Sequence, residues 1–173
     1  KDKLSRPTMA ETASLVHAAF NADDKYSAEI KDIMRQAFLW GFTGTLYTPD
    51  GAFIENDPGI RNGMPFMDRG SLEQKLNAKD PNVRHVDFGY QVGEMTPLQL
   101  SKNDYVIGIA GEEGAEKLAR IAEKYRLNPI LFSYESVDKS EIRVSALGSR
   151  GLVHGLGVGG KRGDSLGHAF GVL

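Results

Sequence analysis

Nine of the last 26 residues, from Gly148 to Leu173, are glycine, and that density bounds what the C-terminus can do. Glycine loses more backbone entropy on ordering than any other residue, so such a tract does not hold a conformation by itself. Small apolar residues lie among the glycines, with Arg150, Lys161, Arg162 and a single acid, Asp164; neither helical nor strand periodicity is evident. Order in this tail has to come from its own domain, a neighbouring subunit or a ligand. The expectation is a glycine-rich extension over 148–173, immobilised by a surface supplied from another subunit.

Residues 1–147 read as one α+β domain: a mixed β-sheet with helices packed on one face, preceded by two N-terminal amphipathic helices. In residues 1–40, Thr8 and Glu11 have capping-box spacing, and Met9, Ala13, Val16 and Phe20 fall on one helical stripe. Asn21-Ala22-Asp23-Asp24 interrupts it. Ser27 then opens a second helix with Ile30, Ile33, Met34, Ala37 and Phe38 on its apolar face. Neither helix is basic on its polar face.

Residues 41–70 hold a hairpin, Leu46-Tyr47-Thr48 and Ala52-Phe53-Ile54 about Pro49-Asp50-Gly51, and then a long loop pinned by Met64, Phe66 and Met67. Residues 71–147 read as a ββαββ unit. Ser71 and Gln74 open a short helix; Val86, Phe88, Tyr90 and Val92 alternate as a strand. The unbroken apolar run Tyr105–Ala110 reads as a strand buried on both faces and ended by Gly111. A helix with Ala115, Leu118, Ile121, Ala122 and Tyr125 stops at Asn128-Pro129, before strands over 130–135 and 141–147.

Composition removes several chemistries. With no cysteine there is no disulfide framework, thiolate nucleophile or thiolate metal site. Twenty-one basic residues against 23 acidic ones leave a net charge of -2, so no global basic field draws the chain to nucleic acid or membrane. No run approaches the ~18 apolar residues of a membrane helix, and the first residues lack the apolar core of a secretory signal. The expected location is the cytoplasm or a virion assembled there.

Gly155, Gly157 and Gly160 satisfy G-x-G-x-x-G, but no helix signal follows to aim its N-terminus at a phosphate, and Arg162 stands where a phosphate loop needs Ser or Thr. Arg162-Gly163-Asp164 spells an adhesion tripeptide without a secretion signal to expose it. His85 and Asp87, two apart on a strand, share a face on which the carboxylate can fix the imidazole tautomer. Asp50 after Pro49, followed by Glu73 and Lys75, has the residue order of metal-dependent endonucleases, which need those groups converging on one metal. His154 and His168 flank the basic residues of the tail; with Arg150, Lys161 and Arg162 they form a candidate partner- or anion-binding set. No cofactor motif or resident metal site is expected.

Ser71 to Val144 resembles a class of small phage-encoded α/β proteins. The likeness rests on a short helix, a strand ending near Tyr90, Asn103-Asp104-Tyr105-Val106-Ile107-Gly108, a helix with Leu118, Ala119, Ile121, Ala122 and Tyr125, and Ile130-Leu131-Phe132 after the Asn128-Pro129 corner. The class has no assigned catalytic residues, so the resemblance implies a phage setting and no site. The leading expectation is a non-enzymatic protein–protein interaction or assembly component, a phage accessory or virion protein whose partners are protein subunits. The alternatives are a metal-dependent phosphodiester hydrolase using Asp50, Glu73, Lys75 or the His85/Asp87 pair, and a weak nucleic-acid binder acting through the basic tail.

Overall fold

The computed structural model describes residues 5–61, 64–149, 154–161 and 167–169. In chain order the helices are α1 (Met9–Phe20), α2 (Lys25–Gln36), α3 (Arg69–Asn77), α4 (Pro97–Ser101) and α5 (Asp104–Lys124). The strands are β1 (Phe38–Thr48), β2 (Gly51–Asn56), β3 (Gly59–Arg61), β4 (Met64–Phe66), β5 (Val83–Val86), β6 (Gly93–Glu94), β7 (Asn128–Phe132), β8 (Glu141–Gly148), β9 (Gly155–Lys161) and β10 (Gly167–His168). One mixed sheet runs β5-β2-β1-β8-β9-β7-β6, with β10 added to the start of β1; β3 and β4 make a separate hairpin.

Thr8 forms the expected capping box: its hydroxyl accepts from Glu11 N (3.3 Å), and the Glu11 carboxylate accepts from Thr8 N (2.7 Å). The next cap differs from expectation. Asp24, not Ser27, closes α2 by accepting from the amides of Tyr26 and Ser27; Ser27 lies in the first turn and donates its hydroxyl to the same carboxylate. Asp24 takes both amides because a cap precedes the first helical residues. The hairpin about Pro49-Asp50 has the register Leu46↔Phe53, Tyr47↔Ala52 and Thr48↔Gly51.

The largest core lies between one face of the sheet and α1, α2, α4 and α5, with Met9, Val16, Met34, Leu39, Tyr47, Ile54, Leu100, Tyr105, Leu118 and Leu131 among its members. Helix α3 packs on the opposite face, where Leu72 meets Leu46, Phe53, Met67 and Val83. The loop after β2 is the hairpin β3–β4. Met67 pins its base, while Phe66 is 50% exposed and meets only the Arg61 guanidinium of the same hairpin, 5.4 Å from its ring centre, among the contacts described; the side chain of Met64 lies outside the described residues. The short helix after it starts earlier than expected, with Asp68 as its cap.

Two expectations fail for physical reasons. Tyr105–Ala110 is not a strand but the first part of α5, capped by the Asn103 carboxamide oxygen accepting from Tyr105 N (3.1 Å) and Val106 N (3.3 Å). A helix pressed between a sheet and other helices is apolar nearly all round, and over six residues that pattern is the same as that of a doubly buried strand. Gly111, at φ 72° and ψ 166°, kinks this helix instead of ending a strand. The expected ββαββ unit is therefore β5-β6-α4-α5-β7-β8, and the alternation over 86–92 lies mostly beyond the short β5. Asn128 and Pro129 open β7; the helix has already ended at Lys124.

The second failure concerns the tail. β9 lies inside the sheet, parallel to β7 and antiparallel to β8, with Leu156 and Val158 fully buried in the main core. Gly159 has φ 137°, and a Cβ there would meet the Phe132 carbonyl oxygen at 2.1 Å. The G-x-G-x-x-G match is thus a strand packed against its neighbours, with no helix after it in the described residues. The order of 155–161 comes from the chain's own sheet and needs no second subunit. Arg150, Arg162 and the Arg162-Gly163-Asp164 tripeptide lie outside the described residues, as does the side chain of Lys161.

Candidate recognition groove

The sheet brings part of the expected hydrolase set to one end, and then commits it to ion pairs. Arg69, at the start of α3, donates through Nη2 to Asp50 (2.8 Å) and through Nε to Glu73 (2.7 Å). Those two bonds raise the guanidinium's pKa above its ordinary value. Lys75 donates to Glu55, whose side chain is only 10% exposed beneath α3; the bond raises the Lys75 pKa. His85 lies opposite Phe53 in β5, its ring edge-on to that phenyl at 4.6 Å, with Nδ1 3.4 Å from Asp87. Gly51, next to Asp50, lies against the far side of the imidazole, so a Cβ there would sit 2.9 Å from Nε2. Asp50, Glu73 and His85 therefore share one region, but among the described residues no three His, Asp or Glu side chains converge to hold a metal ion.

The tail residues that are described do not form one cluster with a shared contact. His154 is an exposed residue at φ 54° in the turn before β9, and its carbonyl accepts from Asn128 N at 2.7 Å. His168 is exposed in β10 and lines a shallow cleft with Lys25, Glu29 and Asp32 of α2.

Three adjoining clefts run around α4. A cleft of about 530 Å³ starts at His85 and Asp87 and is walled by Phe88, Tyr90 and Asp104. Tyr90 and Asp104 are also walls of a second cleft, of about 310 Å³, bounded further on by Leu98 and Lys102. Leu98 and Lys102 in turn line a third, of about 670 Å³, against Ala119, Arg120 and Glu123 of α5. Shared walls make the three one groove, with Leu98, 64% exposed, standing on its rim.

Local sequence explains this rim. Thr96 and Gln99 form a full capping box (Gln99 N to Thr96 Oγ1, 3.2 Å; Thr96 N to Gln99 Oε1, 2.8 Å), and Pro97 supplies the fixed φ of a first helical turn. Leu100 anchors α4 in the core while Leu98, on the other side of this single turn, faces out. The Asn103 amide donates to Gln91 O at 2.8 Å and ties the start of α5 to the floor of the groove.

Behind Tyr90 the wall is polar and closed. Its hydroxyl pairs with Ser133 (3.0 Å), Ser133 with Tyr47 (2.8 Å), Tyr47 donates to Tyr105 (2.7 Å), and Tyr105 meets Thr45 (3.0 Å). Burial is the main reason that the phenols of Tyr47, Tyr90 and Tyr105 have pKa values above the ordinary one, so the wall favours three neutral hydroxyls. This is a rigid wall, with the Tyr90 and Tyr105 rings stacked at 5.1 Å. The Thr96-Pro97-x-Gln99 signature was available in the sequence as the start of a helix; the convergence of Tyr47, Tyr90 and Tyr105 was not, because it depends on Tyr105 being helical.

No family model matches the chain, and no curated protein does. Among solved structures, it resembles a protein from Nanoarchaeota in which the C-type lectin fold accommodates massive sequence variation. The TM-score is 0.55 at 15% identity, over 90% of this chain and 88% of that one. At that identity the likeness is one of fold, and the arrangement of helices and mixed sheet described above is what the two chains share.

Proposed function

We propose that this chain is a non-enzymatic recognition module that binds an extended segment of a protein partner in the groove around α4. The observation that carries the reading is Leu98, a large apolar side chain held out to solvent on the rim of two joined clefts. An apolar anchor beside aromatic walls, with charges of both signs at the edge, is the composition of a protein contact surface. Phe88 and Tyr90 supply the aromatic wall; Lys102, Asp104 and Glu123 supply the edge. The fold likeness supports the reading in a general way, since a fold that accommodates massive sequence variation can present many contact surfaces.

Phosphodiester hydrolysis has less in its favour. A metal at Asp50 and Glu73 would have to displace Arg69 from both carboxylates, and Lys75 is engaged with Glu55. The phage or virion setting rests on the resemblance of residues 71–144 alone, and one of its elements, Tyr105–Gly108, is helical here.

A photoreactive phenylalanine analogue at position 98 tests the groove, with the same analogue at Tyr26, an equally exposed side chain on α2, as control. Irradiation in the producing cells should give a discrete protein adduct from 98 and none from 26. Leu98→Asp should weaken binding of the identified partner at least tenfold, since burying a leucine is worth about 1.5–3 kcal/mol. Equal labelling from both sites, or cleavage of labelled DNA with Mn²⁺ that Asp50→Ala abolishes, would replace this reading with another.

A further inference from the structure

The sheet ends in two edges, and they differ. At β6 the edge is closed by side chains: Gln91 Nε2 donates to Glu94 O, and Asn103 Nδ2 to Gln91 O, both at 2.8 Å. At β5 it is open. Asn56 N donates to Asn82 O (2.9 Å) in the register that sets Ile54 opposite Arg84 and Ala52 opposite Val86. Antiparallel bonding alternates, so the main-chain groups of Arg84 and Val86 turn towards β2. The Val86 carbonyl oxygen does lie beside Gly51 of β2. The N–H and C=O of His85 and the N–H of Asp87 therefore point away from the sheet, and among the described residues they have no hydrogen-bond partner. A cleft of about 530 Å³ runs along these residues, with Asp104, Ile107 and Gly108 of α5 as its other wall.

Side chains on this edge say what covers it. Arg84 and Val86 lie on the face turned to α5, His85 and Asp87 on the face turned to Phe53. Charged side chains discourage pairing with an arbitrary strand. Opposite a second copy they complement one another in one register. A twofold antiparallel pair is centred on a residue that faces its own copy. Centring on Arg84 or Asp87 sets like charges face to face, which is destabilising. Centring on His85 needs the Val83 N–H, which already donates to Asp80 O at 3.1 Å. Centring on Val86 meets neither obstacle.

We propose that a second copy of this chain covers the edge, the two β5 strands pairing antiparallel about a twofold axis at Val86. Each His85 then exchanges main-chain bonds with the second copy's Asp87, and on the same face its imidazole meets that carboxylate, whose side chain is 89% exposed in the single chain. On the other face Val86 meets its own copy, and Arg84, lightly held by a 3.5 Å bond to Ile107 O, meets the second copy's Phe88 as a guanidinium against an aromatic ring. The interface is isologous and closes at two chains. It takes the His85 end of the groove and leaves the two clefts rimmed by Leu98 open, so it does not depend on what the groove binds.

Sedimentation velocity of the full chain over a concentration series should show a monomer–dimer equilibrium. Asp87→Lys should raise its dissociation constant about tenfold, because both symmetric copies of the His85/Asp87 pair are lost. The chain has no cysteine, so single cysteines report the register. Opposed residues in a non-hydrogen-bonded pair have Cα atoms about 4.5 Å apart, within the reach of a disulfide. Val86→Cys should therefore give a disulfide-linked dimer on mild oxidation. Arg84→Cys alone should not, since its two copies lie about 13 Å apart along the strands, whereas a mixture of the Arg84→Cys and Phe88→Cys chains should. A strict monomer at every concentration overturns the proposal, as does a dimer that Asp87→Lys leaves unchanged. Equal linkage of the Val86→Cys and Arg84→Cys chains overturns it in favour of another interface. Should Val86→Cys fail to fold, sedimentation of the wild type and of Asp87→Lys still decides.

Discussion

Helix α1 and strand β9 both put fully buried side chains into the same core, and they are held there by different means. α1 carries its own instructions: a capping box at Thr8 and Glu11, an apolar stripe, and a last-turn amide network at Asn21. β9 carries almost none. Four of its seven residues are glycine, and its conformation is set by hydrogen bonds to β7 on one side and β8 on the other. A locally encoded element tolerates the loss of any one contact. An element ordered by its surroundings fails when those surroundings are disturbed, and this contrast can be measured.

The largest effect belongs to β9. Gly159→Ala forces an L-residue to φ 137° and drives its methyl into the Phe132 carbonyl. Backbone strain of about 1–3 kcal/mol adds to overpacking of about 1–3 kcal/mol. Gly89 has a comparable φ of 116° with nothing within 4 Å, so Gly89→Ala carries the strain alone. Urea midpoints should place Gly159→Ala well below Gly89→Ala. Equal midpoints would mean that β9 is loosely held and that the contrast with α1 is wrong.

A second separation comes from pH. α1 contains no tyrosine, whereas the layer beside β7 and β8 is built on Tyr47, Tyr90 and Tyr105, whose phenol pKa values burial raises above the ordinary one. The raised values mean that the fold prefers the neutral phenols. Their contribution is complete below the ordinary value, about 10, and is lost as pH rises through the folded values. Unfolding midpoints should therefore be flat in this respect from about pH 8 to 10 and fall beyond, with the tyrosinate absorbance of these three phenols appearing together with unfolding. Tyrosinate from Tyr47, Tyr90 or Tyr105 in the folded protein, read as absorbance beyond that of Tyr26, Tyr125 and Tyr134 and without loss of stability, would remove the closed hydroxyl wall behind the groove.

How far the sequence reached follows the same line. Thr8 with Glu11, the Pro49-Asp50 hairpin and β8 were legible because each signal sits within a few residues. The α+β class was legible for the same reason. Tyr105–Ala110 was not, since its apolarity reports burial on all sides and not the element that is buried. In β9, Leu156 and Val158 do alternate, but glycine between them is neither polar nor apolar, so the alternation had no contrast to stand against. The groove depends on the first of these: Tyr90 and Leu98 line one cleft together with Asn103 and Asp104 at the start of α5, and no spacing between them announces it. The pair His85 and Asp87 was found by spacing, and it does line one end of that groove.

The smallest effect is the cap of α1. Thr8→Ala removes the acceptor for Glu11 N and leaves the Glu11 carboxylate bonded to Thr8's own amide, so one of two capping bonds survives. The cost should be about 1 kcal/mol, read as a shifted urea midpoint with an unchanged slope. A second contact limits the damage: Met9 N donates to Thr43 Oγ1 at 3.0 Å, which fastens the first turn of α1 to β1 independently of the cap. Thr8→Ala and Thr43→Val should therefore be more costly together than the sum of the two alone, because each then removes the other's remaining anchor. Strict additivity would show that the two bonds act separately and that α1 depends on the sheet less than the shared first turn implies.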